Sequence, residues 1–213
     1  MKLTNTIIAS SLLCLSLPIA HAQAGIIDNG SFENIQGTLS TICSSNTSVF
    51  HYSACQAQSW NGTYQVTNGK GGFVVPSSDP NGGNVLVLQT NHSLASSFAS
   101  QTFYAPVSGE YDLTFYAANR SYGGEQTIWV SINNSLVASF SSLPSDWSYE
   151  TVGFYANAGQ NTVAFAGLNS ANSDATSFVD GVAIAAAPEP GIFALLGVGL
   201  VGLGLIHRRK VQQ

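Results

Sequence analysis

Hydrophobic and polar residues alternate with a period of two along the middle of the chain. In the segment 111–117, Tyr111, Leu113 and Phe115 fall on one face, and the segment 127–132 shows the same spacing. This alternation is typical of β-strands with one buried face, and residues 23–187 show no helical periodicity. Further strands are predicted at 85–88, 150–155, 162–165 and 177–184.

Turn-forming residues separate these segments, among them Asn61-Gly62, Asn68-Gly69, Ser108-Gly109, Asn133-Asn134 and Ala158-Gly159. Many short strands at this spacing predict an all-β fold, an antiparallel sandwich of jelly-roll or immunoglobulin type. The stretch 37–59 is rich in Ser and Thr and alternates weakly, which predicts a long loop or an irregular hairpin.

The N-terminus does not follow this pattern. Lys2 precedes an apolar run at 7–19, and the small residues Ala20-His21-Ala22 follow it. This order predicts a secretory signal peptide, 1–22, that signal peptidase removes before Gln23. An uncleaved membrane anchor is the alternative, which the shortness of the run disfavours.

A second apolar segment, 191–206, holds 16 uncharged residues and precedes the basic cluster His207-Arg208-Arg209-Lys210. At about 1.5 Å per residue a helix of this length covers roughly 24 Å, and flanking basic side chains make up the remainder of a hydrocarbon core about 30 Å thick. We therefore expect one transmembrane helix, with the basic tail 207–213 in the cytoplasm and the domain 23–187 outside.

The domain 23–187 is acidic and long enough to bury a core of its own. It contains ten Asp and Glu residues against two bases, Lys70 and Arg120, which gives a formal charge of −8. A nucleic-acid partner requires a dense basic surface that neutralises phosphates, so this composition excludes binding to DNA or RNA.

Cys43 and Cys55 are the two cysteines that remain after removal of the signal peptide. In an exported, oxidising environment an even pair predicts one disulfide. Metal ligation with the nearby His51 is the alternative, which the absence of CxxC spacing disfavours.

The C-terminal segment combines Pro188-Glu189-Pro190, a glycine-rich apolar run and the basic residues Arg208 and Arg209. This order resembles the PEP-CTERM sorting signal of Gram-negative bacteria. The resemblance implies export through the inner membrane, transient anchoring and processing by exosortase, a membrane transpeptidase-like enzyme, and then the cell surface or extracellular matrix. The two prolines disfavour a helix at the motif and leave an extended segment for the enzyme to bind.

A looser resemblance covers most of the domain. Asn29-Gly30-Ser31-Phe32-Glu33, the segment 111–120, Trp147 and Phe178-Val179-Asp180-Gly181-Val182 follow one another as in the galactose-binding-like jelly rolls. That fold includes many carbohydrate-binding modules, so the resemblance implies a jelly-roll sandwich and a saccharide ligand.

Glu33 and Asp180 are the predicted metal ligands. By alternation Asp180 shares a face with Phe178, Val182 and Ile184 and points toward the core, where a charge needs a partner. In the resembling family a structural calcium joins the first and last strands, and Glu33 and Asp180 occupy the matching positions. A hydrogen-bonded carboxylate without metal is the alternative, since amide donors also stabilise a buried charge.

The predicted saccharide site has four aromatic rings and one cation, namely Trp60, Tyr64, Tyr122, Trp129 and Arg120. Trp129 lies opposite a row of inward-facing residues, so its ring is expected to face outward and stack on a sugar. For the rings, the alternatives are packing beneath the 37–59 loop or ordinary surface exposure. For Arg120, the alternative to clamping a sugar hydroxyl is an ion pair with Asp112 or Glu125.

Catalysis has little support in the sequence, because no GxSxG or HExxH pattern surrounds His51 or His92. We therefore expect an exported, non-catalytic surface or matrix protein that binds saccharide and is linked to the exopolysaccharide of a biofilm. The alternatives are a structural matrix protein without a small ligand and, least favoured, a polysaccharide hydrolase.

The predicted disulfide between Cys43 and Cys55 closes a loop of 13 residues. On the chain-entropy model such a loop contributes about 3 kcal/mol to the free energy of unfolding. Alkylation of the exported protein without reduction is expected to leave both residues unmodified in mass spectrometry. Free thiols at either position would contradict the pairing.

Overall fold

The computed structural model describes residues 26–35, 57–68, 75–76, 80–81, 83–90, 96–168 and 174–187, together with 197, 199 and 200. The signal peptide 1–22, Cys43, Cys55, the motif Pro188-Glu189-Pro190 and the basic tail with Arg208 and Arg209 lie outside the described residues. Only residues 197, 199 and 200 of the predicted span 191–206 are described. Within these ranges, no helix has the length and apolar character needed to cross a membrane.

In the part of the chain that the structure describes, ten strands build an all-β sandwich: β1 (Asn61–Thr63), β2 (Gln65–Thr67), β3 (Val85–Thr90), β4 (Ser96–Ala105), β5 (Gly109–Asn119), β6 (Thr127–Ile132), β7 (Ser135–Phe140), β8 (Ser148–Ala156), β9 (Gly159–Leu168) and β10 (Ala175–Ala186). The first sheet has the order β1-β4-β9-β6-β7, and the second sheet has the order β2-β3-β10-β5-β8. Neighbouring strands in both sheets are antiparallel, as the predicted fold class requires.

The main core lies between the two sheets and is built from the alternating positions. Tyr111, Leu113 and Phe115 of β5 are buried there, as are the inward residues of β6. The ring of Phe115 meets that of Phe165 edge to face, with centroids 5.0 Å apart. Such aromatic pairs contribute beyond the area that they bury. The period-two prediction for these strands is therefore confirmed.

Three strands of the first sheet, β1, β4 and β7, were not predicted, and neither was β2 of the second sheet. The prediction of a turn at Asn61-Gly62 is wrong, because both residues lie in β1. In β4 the inward residues include Ala99 and Gln101, while the large rings of Phe98 and Tyr104 face outward. The strand β7 lies at the sheet edge and is mostly exposed or half-buried. The sequence of β4 therefore lacks the apolar row on which a strand prediction rests, and the edge strand β7 has no fully buried side chain.

The described N-terminal residues 26–35, which we call the N-terminal segment, pack against β10 and close the sandwich. Phe32 is fully buried, and its ring centroid lies 5.1 Å from that of Trp60. The carbonyl oxygen of Gly30 accepts a hydrogen bond from Val182 N at 2.9 Å. A Cβ atom on Gly30 would lie 2.0 Å from the Val182 carbonyl oxygen, so only glycine permits this approach.

Trp60 and Tyr64 belong to the main core and not to a ligand surface. The indole Nε1 of Trp60 donates to the Asn29 carbonyl oxygen at 3.1 Å. The hydroxyl of Tyr64 accepts from Ala57 N at 3.1 Å and lies 3.1 Å from the Trp60 carbonyl oxygen. A side chain buried to this extent cannot stack on a sugar, so the prediction that Trp60 and Tyr64 line the saccharide site is wrong.

The buried Tyr64 makes stability sensitive to alkaline pH. Burial raises the pKa of Tyr64 to about 12, although the backbone hydrogen bond with Ala57 opposes the shift. The unfolded chain titrates near the ordinary value of about 10, so the fold favours the neutral phenol. This contribution, roughly 2–3 kcal/mol, is complete below pH 10 and is lost as the pH rises through about 12.

We therefore expect the melting temperature to fall between pH 10 and pH 12 more steeply in the wild type than in Tyr64→Phe. Differential scanning calorimetry measures this slope, and Tyr104→Phe, which changes an exposed ring, serves as the matched control. Equal slopes for the wild type and Tyr64→Phe would contradict the assignment.

Candidate functional site

A β-bulge in β10 decides which side chains reach each face of the second sheet. The register with β5 shifts between Asp180 and Ala183, and Gly181 has a positive φ of 60°. Val179 and Val182 consequently both point into the main core, although they are three positions apart, a spacing that places side chains on opposite faces of a regular strand. The prediction that Asp180 shares a face with Val182 is wrong, because the bulge inserts one residue between them.

Asp180 is fully buried, but on the outer face of the second sheet. Its Oδ1 accepts a hydrogen bond from Gly181 N at 2.7 Å, and its Oδ2 accepts one from Asn81 Nδ2 at 3.1 Å. Glu33 is exposed, and its Oε1 accepts from Asn84 N at 2.8 Å. The two predicted metal ligands therefore contact the same short segment, residues 81–84, from opposite ends.

These two carboxylates supply some, but not all, of the oxygen ligands that a calcium site needs. Carboxylates and backbone carbonyls are the ligands that Ca²⁺ prefers, and it needs six to eight oxygens. Among the described residues, no group of three or more His, Cys, Asp or Glu side chains is arranged to hold a metal. Two carboxylates alone would require further oxygens from the amide of Asn81 or from backbone carbonyls.

One half of the outer face of the second sheet is covered. Val85 and Val87 of β3, Ala118 of β5 and Phe178 of β10 form a second apolar cluster, against which Val75 and Trp147 pack. The ring centroids of Trp147 and Phe178 lie 6.4 Å apart. The covered half therefore resembles a core more than a binding surface.

The other half is open and is lined by outward-facing residues of β5, β8 and β10. We call it the tyrosine face, and it consists of Glu110, Asp112, Thr114, Tyr116, Tyr149, Thr151, Gly153, Tyr155, Ala183 and Ala185. Tyr116 and Tyr149 are cross-strand neighbours with ring centroids 5.0 Å apart. Tyr149 and Tyr155 are each 59% exposed.

The tyrosine face is elongated, with rings at its two ends and small residues between them. Tyr149 and Tyr155 stand six residues apart on β8, or about 20 Å at roughly 3.3 Å per residue. A Cβ atom on Gly153 would have the Asp112 Oδ1 atom 3.8 Å away as its nearest neighbour. The floor is therefore shallow, and the Asp112 carboxylate reaches across it toward β8.

Trp129 lies on the outer face of the first sheet, as predicted. It pairs with Ala166 of β9, which in turn pairs with Phe98 of β4. Trp129 is 45% exposed and Phe98 is 42% exposed. The two rings flank an alanine across two strand spacings, about 10 Å in all.

The guanidinium of Arg120 is not available to a ligand on the outer face of either sheet. Its guanidinium forms an ion pair with Asp174 at 2.9 Å, and its Nε donates to the Tyr122 carbonyl oxygen at 2.8 Å. Its side chain is 4% exposed. The prediction that Arg120 clamps a sugar is therefore wrong, and so is the alternative of an ion pair with Asp112 or Glu125.

Tyr122 and Asp174 complete this structural cluster. The Arg120 Cζ atom lies 4.5 Å from the centroid of the Tyr122 ring, which is half exposed. Burial acts to raise the pKa of Asp174, but hydrogen bonds from Gln89 and Arg120 together with the charge of Arg120 lower it below its usual value. The cluster fixes the 120–126 connection against the start of β10.

The residues of the tyrosine face were not predicted as a site, although the alternation of the strands contained a signal for them. In β8 the inward positions Val152 and Phe154 alternate with outward Tyr149 and Tyr155. An exposed tyrosine at each end of a strand with Gly153 between them is unusual for a merely solvated face, because such strands usually present short or charged polar residues. The rings that were predicted instead lie near turns.

Solved carbohydrate-binding proteins are similar to this chain. A family 61 module in complex with β-1,4-galactotriose is 13% identical, with 77% of this chain and 99% of that chain covered and a TM-score of 0.47. A family 35 module from Clostridium thermocellum is 18% identical, with 61% and 99% covered and a TM-score of 0.41. The ligand named for such a complex is the ligand of that similar protein.

A third similar structure is the N-terminal part of xylanase 10B from Clostridium thermocellum, a carbohydrate-binding module with its catalytic module, in complex with xylohexaose. It is 15% identical, with 78% of this chain and 29% of that chain covered and a TM-score of 0.48. No curated protein sequence matches the chain.

The family model of the PEP-CTERM protein-sorting motif matches residues 186–210. The matched range begins at Ala186, the last residue of β10, and includes Pro188-Glu189-Pro190 and the basic residues Arg208 and Arg209. The chain thus joins a β-sandwich directly to a PEP-CTERM sorting motif, which marks it as an exported, surface-sorted protein and a substrate for exosortase.

Proposed function

We propose that this protein is a non-catalytic surface or matrix protein that binds polysaccharide through its tyrosine face. The observation that carries the proposal is the placement of three tyrosine rings on one open sheet face, around a floor of small residues and one carboxylate. The polysaccharide that the producing cell exports is the proposed ligand, and exosortase delivers the protein to it.

The chemistry of the tyrosine face suits a sugar chain. Sugars present apolar C–H faces and equatorial hydroxyls, so they need flat rings together with hydrogen-bonding groups. Tyr116, Tyr149 and Tyr155 supply rings with polar tips. Thr114, Thr151 and Asp112 supply hydroxyl and carboxylate groups between the rings. A length of about 20 Å accommodates several sugar units in a row.

Charge narrows the class of saccharide. Glu110 and Asp112 give the face a negative character, and the one described cation of the domain, Arg120, is held by Asp174. An anionic chain rich in uronic acids would be repelled by this surface. A neutral polysaccharide is therefore favoured, with little dependence of binding on salt.

Hydrolysis is the second function to be tested, because Glu110 and Asp112 point to the same face of β5 two residues apart. A glycosidase uses two carboxyl groups, one of which is desolvated in a cleft so that it can act as an acid. Glu110 is exposed on an open sheet. We therefore propose binding without bond cleavage.

We also propose that Glu33 and Asp180 hold a structural Ca²⁺, with the amide oxygen of Asn81 as a third ligand. The support is their contact with the same segment, 81–84, beside the bulge of β10. The ion would join the N-terminal segment to the last strand and stiffen the edge beneath Tyr116. A purely hydrogen-bonded pair of carboxylates is the competing arrangement.

The saccharide proposal predicts which ring carries binding. On a glycan array of neutral and acidic oligosaccharides, the full chain without its signal peptide is expected to bind neutral chains. Tyr149→Ala is expected to weaken that affinity at least tenfold, about 1.4 kcal/mol, because a stacked ring is a typical hot spot. Gly153→Leu is expected to act similarly by filling the floor.

Trp129→Ala is the matched control, since it removes an exposed ring from the outer face of the other sheet. Loss of binding in Trp129→Ala with full binding in Tyr149→Ala would move the site to the first sheet. Binding to no saccharide would favour a structural matrix protein. Release of reducing ends from a bound polysaccharide, abolished in Asp112→Asn, would establish the hydrolase.

The calcium proposal predicts a shift in thermal stability. An ion that binds only the folded state adds about 2.7 kcal/mol at a hundredfold excess over its Kd, which raises the melting temperature by several degrees. Scanning fluorimetry with Ca²⁺ and with chelator is expected to show this difference in the wild type and to lose most of it in Asp180→Asn. Glu125→Gln, at an exposed carboxylate, is the control. Identical melting with Ca²⁺ and chelator would rule out the ion.

A further inference from the structure

The sandwich ends immediately before the sorting motif. The strand β10 stops at Ala186, and Ala187 N donates to the Glu110 carbonyl oxygen at 2.9 Å. Ala187 is thus still fixed to the start of β5, and Pro188 is the next residue. The three residues 188–190 are all that separates the folded domain from the predicted span, which begins at Gly191.

Two connections lie at the end of the sandwich where the chain leaves it. We call this the exit end and define it as residues 104–109, between β4 and β5, and 155–160, between β8 and β9. Ala158 N donates to Ser108 Oγ at 2.8 Å, so the two connections are joined across the sheets. Gly109 pairs with Ala156, next to the Glu110 that holds Ala187.

The exit end is uncharged and presents large exposed side chains. Its sequences, Tyr-Ala-Pro-Val-Ser-Gly and Tyr-Ala-Asn-Ala-Gly-Gln, contain no Asp, Glu, Lys or Arg in a domain of charge −8. Val107 at the tip is 61% exposed, and Tyr104 and Tyr155 flank it with similar exposure. Tyr104 faces outward from the first sheet and Tyr155 from the second, so the rings stand on either side of the tip.

The short connection places this end at a membrane. Three residues in an extended conformation reach about 10 Å at roughly 3.1 Å each. The headgroup layer on each side of the hydrocarbon core is roughly 5–8 Å thick. A span that begins at Gly191 therefore holds Ala187, and the two connections beside it, at the level of the headgroups.

We propose that, while the tail is attached, the exit end rests on the lipid bilayer through Tyr104, Val107 and Tyr155. Tyrosine is enriched at membrane interfaces because its ring is apolar and its hydroxyl is polar. The two connections themselves carry no charged side chain, and the nearest exposed carboxylate is that of Glu110, the cross-strand partner of Tyr155. The proposal rests on the predicted span, and its test does not involve a saccharide.

The contact is measurable by amide hydrogen exchange of the full chain without its signal peptide, inserted in phosphatidylcholine nanodiscs. Exchange of residues 155–160 is expected to be several-fold slower in the wild type than in the double variant Tyr104→Asp/Val107→Asp. The double variant places charges at the lipid surface but leaves 155–160 unaltered. Tyr155 is not substituted, because it also belongs to the tyrosine face.

Tyr122→Asp, an equally drastic change in the 120–126 connection, is the matched control and is expected to leave exchange of 155–160 as in the wild type. Tyr104→Phe/Val107→Leu is expected to retain the slow exchange, because it keeps both side chains apolar. Because Tyr104 pairs with Gln160, the wild type and the Asp double variant are also compared in detergent micelles without a bilayer, where equal exchange of 155–160 is expected. In the nanodiscs, equal exchange of 155–160 in the wild type and the Asp double variant would overturn the proposal. Failure of the full chain to insert into the nanodiscs would do so as well.

Discussion

The bulge at Asp180–Ala183 is the constraint on which the rest of this sandwich depends. Gly181 takes a left-handed conformation there, and the strand changes the face to which its side chains point. Val182 is thereby turned into the main core, and its backbone meets Gly30 at a distance that excludes any side chain. The same irregularity leaves Asp180 on the outer face, where the side chain of Asn81 donates a hydrogen bond to it. One inserted residue thus joins the N-terminal segment, the last strand and the outer face.

The regular part of the fold could be predicted from the sequence because its physical basis is local. Strands such as β5 and β6 bury every second side chain, and a period of two is visible in the residues themselves. The bulge could not be predicted in this way, since one extra residue looks like a continuation of the strand. Extending the alternation past Gly181 assigned Asp180 to the core face. The strand β4 was not predicted for another reason, because most of its inward residues are small or polar, Phe103 excepted.

The residues of the candidate site were harder to predict from the sequence than the strands. Aromatic residues near turns, such as Trp60 and Tyr64, were predicted to be exposed, but both are buried. Trp60 packs against Phe32 of the N-terminal segment, and the hydroxyl of Tyr64 bonds to the backbone of Ala57 and Trp60. Arg120 looked free, but its partner is Asp174, 54 residues further along the chain. Both outcomes depend on contacts between distant segments. The residues of the tyrosine face, by contrast, are the outward positions of alternating strands, so they could have been predicted from the sequence pattern.

The outer face of the second sheet is divided along β10 and β5. On the β3 side Trp147 and Phe178 close it with apolar packing, and on the β8 side it stays open. This division confines any ligand to a strip next to an edge strand, where chains can enter from the side. An internal stretch of a long polymer could therefore bind, since no described segment of the chain covers the strip.

The position of β10 also has a mechanical consequence. This strand lies between β3 and β5, and its C-terminal end leads straight to the sorting motif. A pull on the tail would load β10 along its own axis, so that its hydrogen bonds with both neighbours would be sheared together rather than opened one at a time. Forced unfolding is governed by the rate of crossing that barrier. A protein held by its C-terminus in flowing water would thus resist detachment through the strand nearest its attachment point.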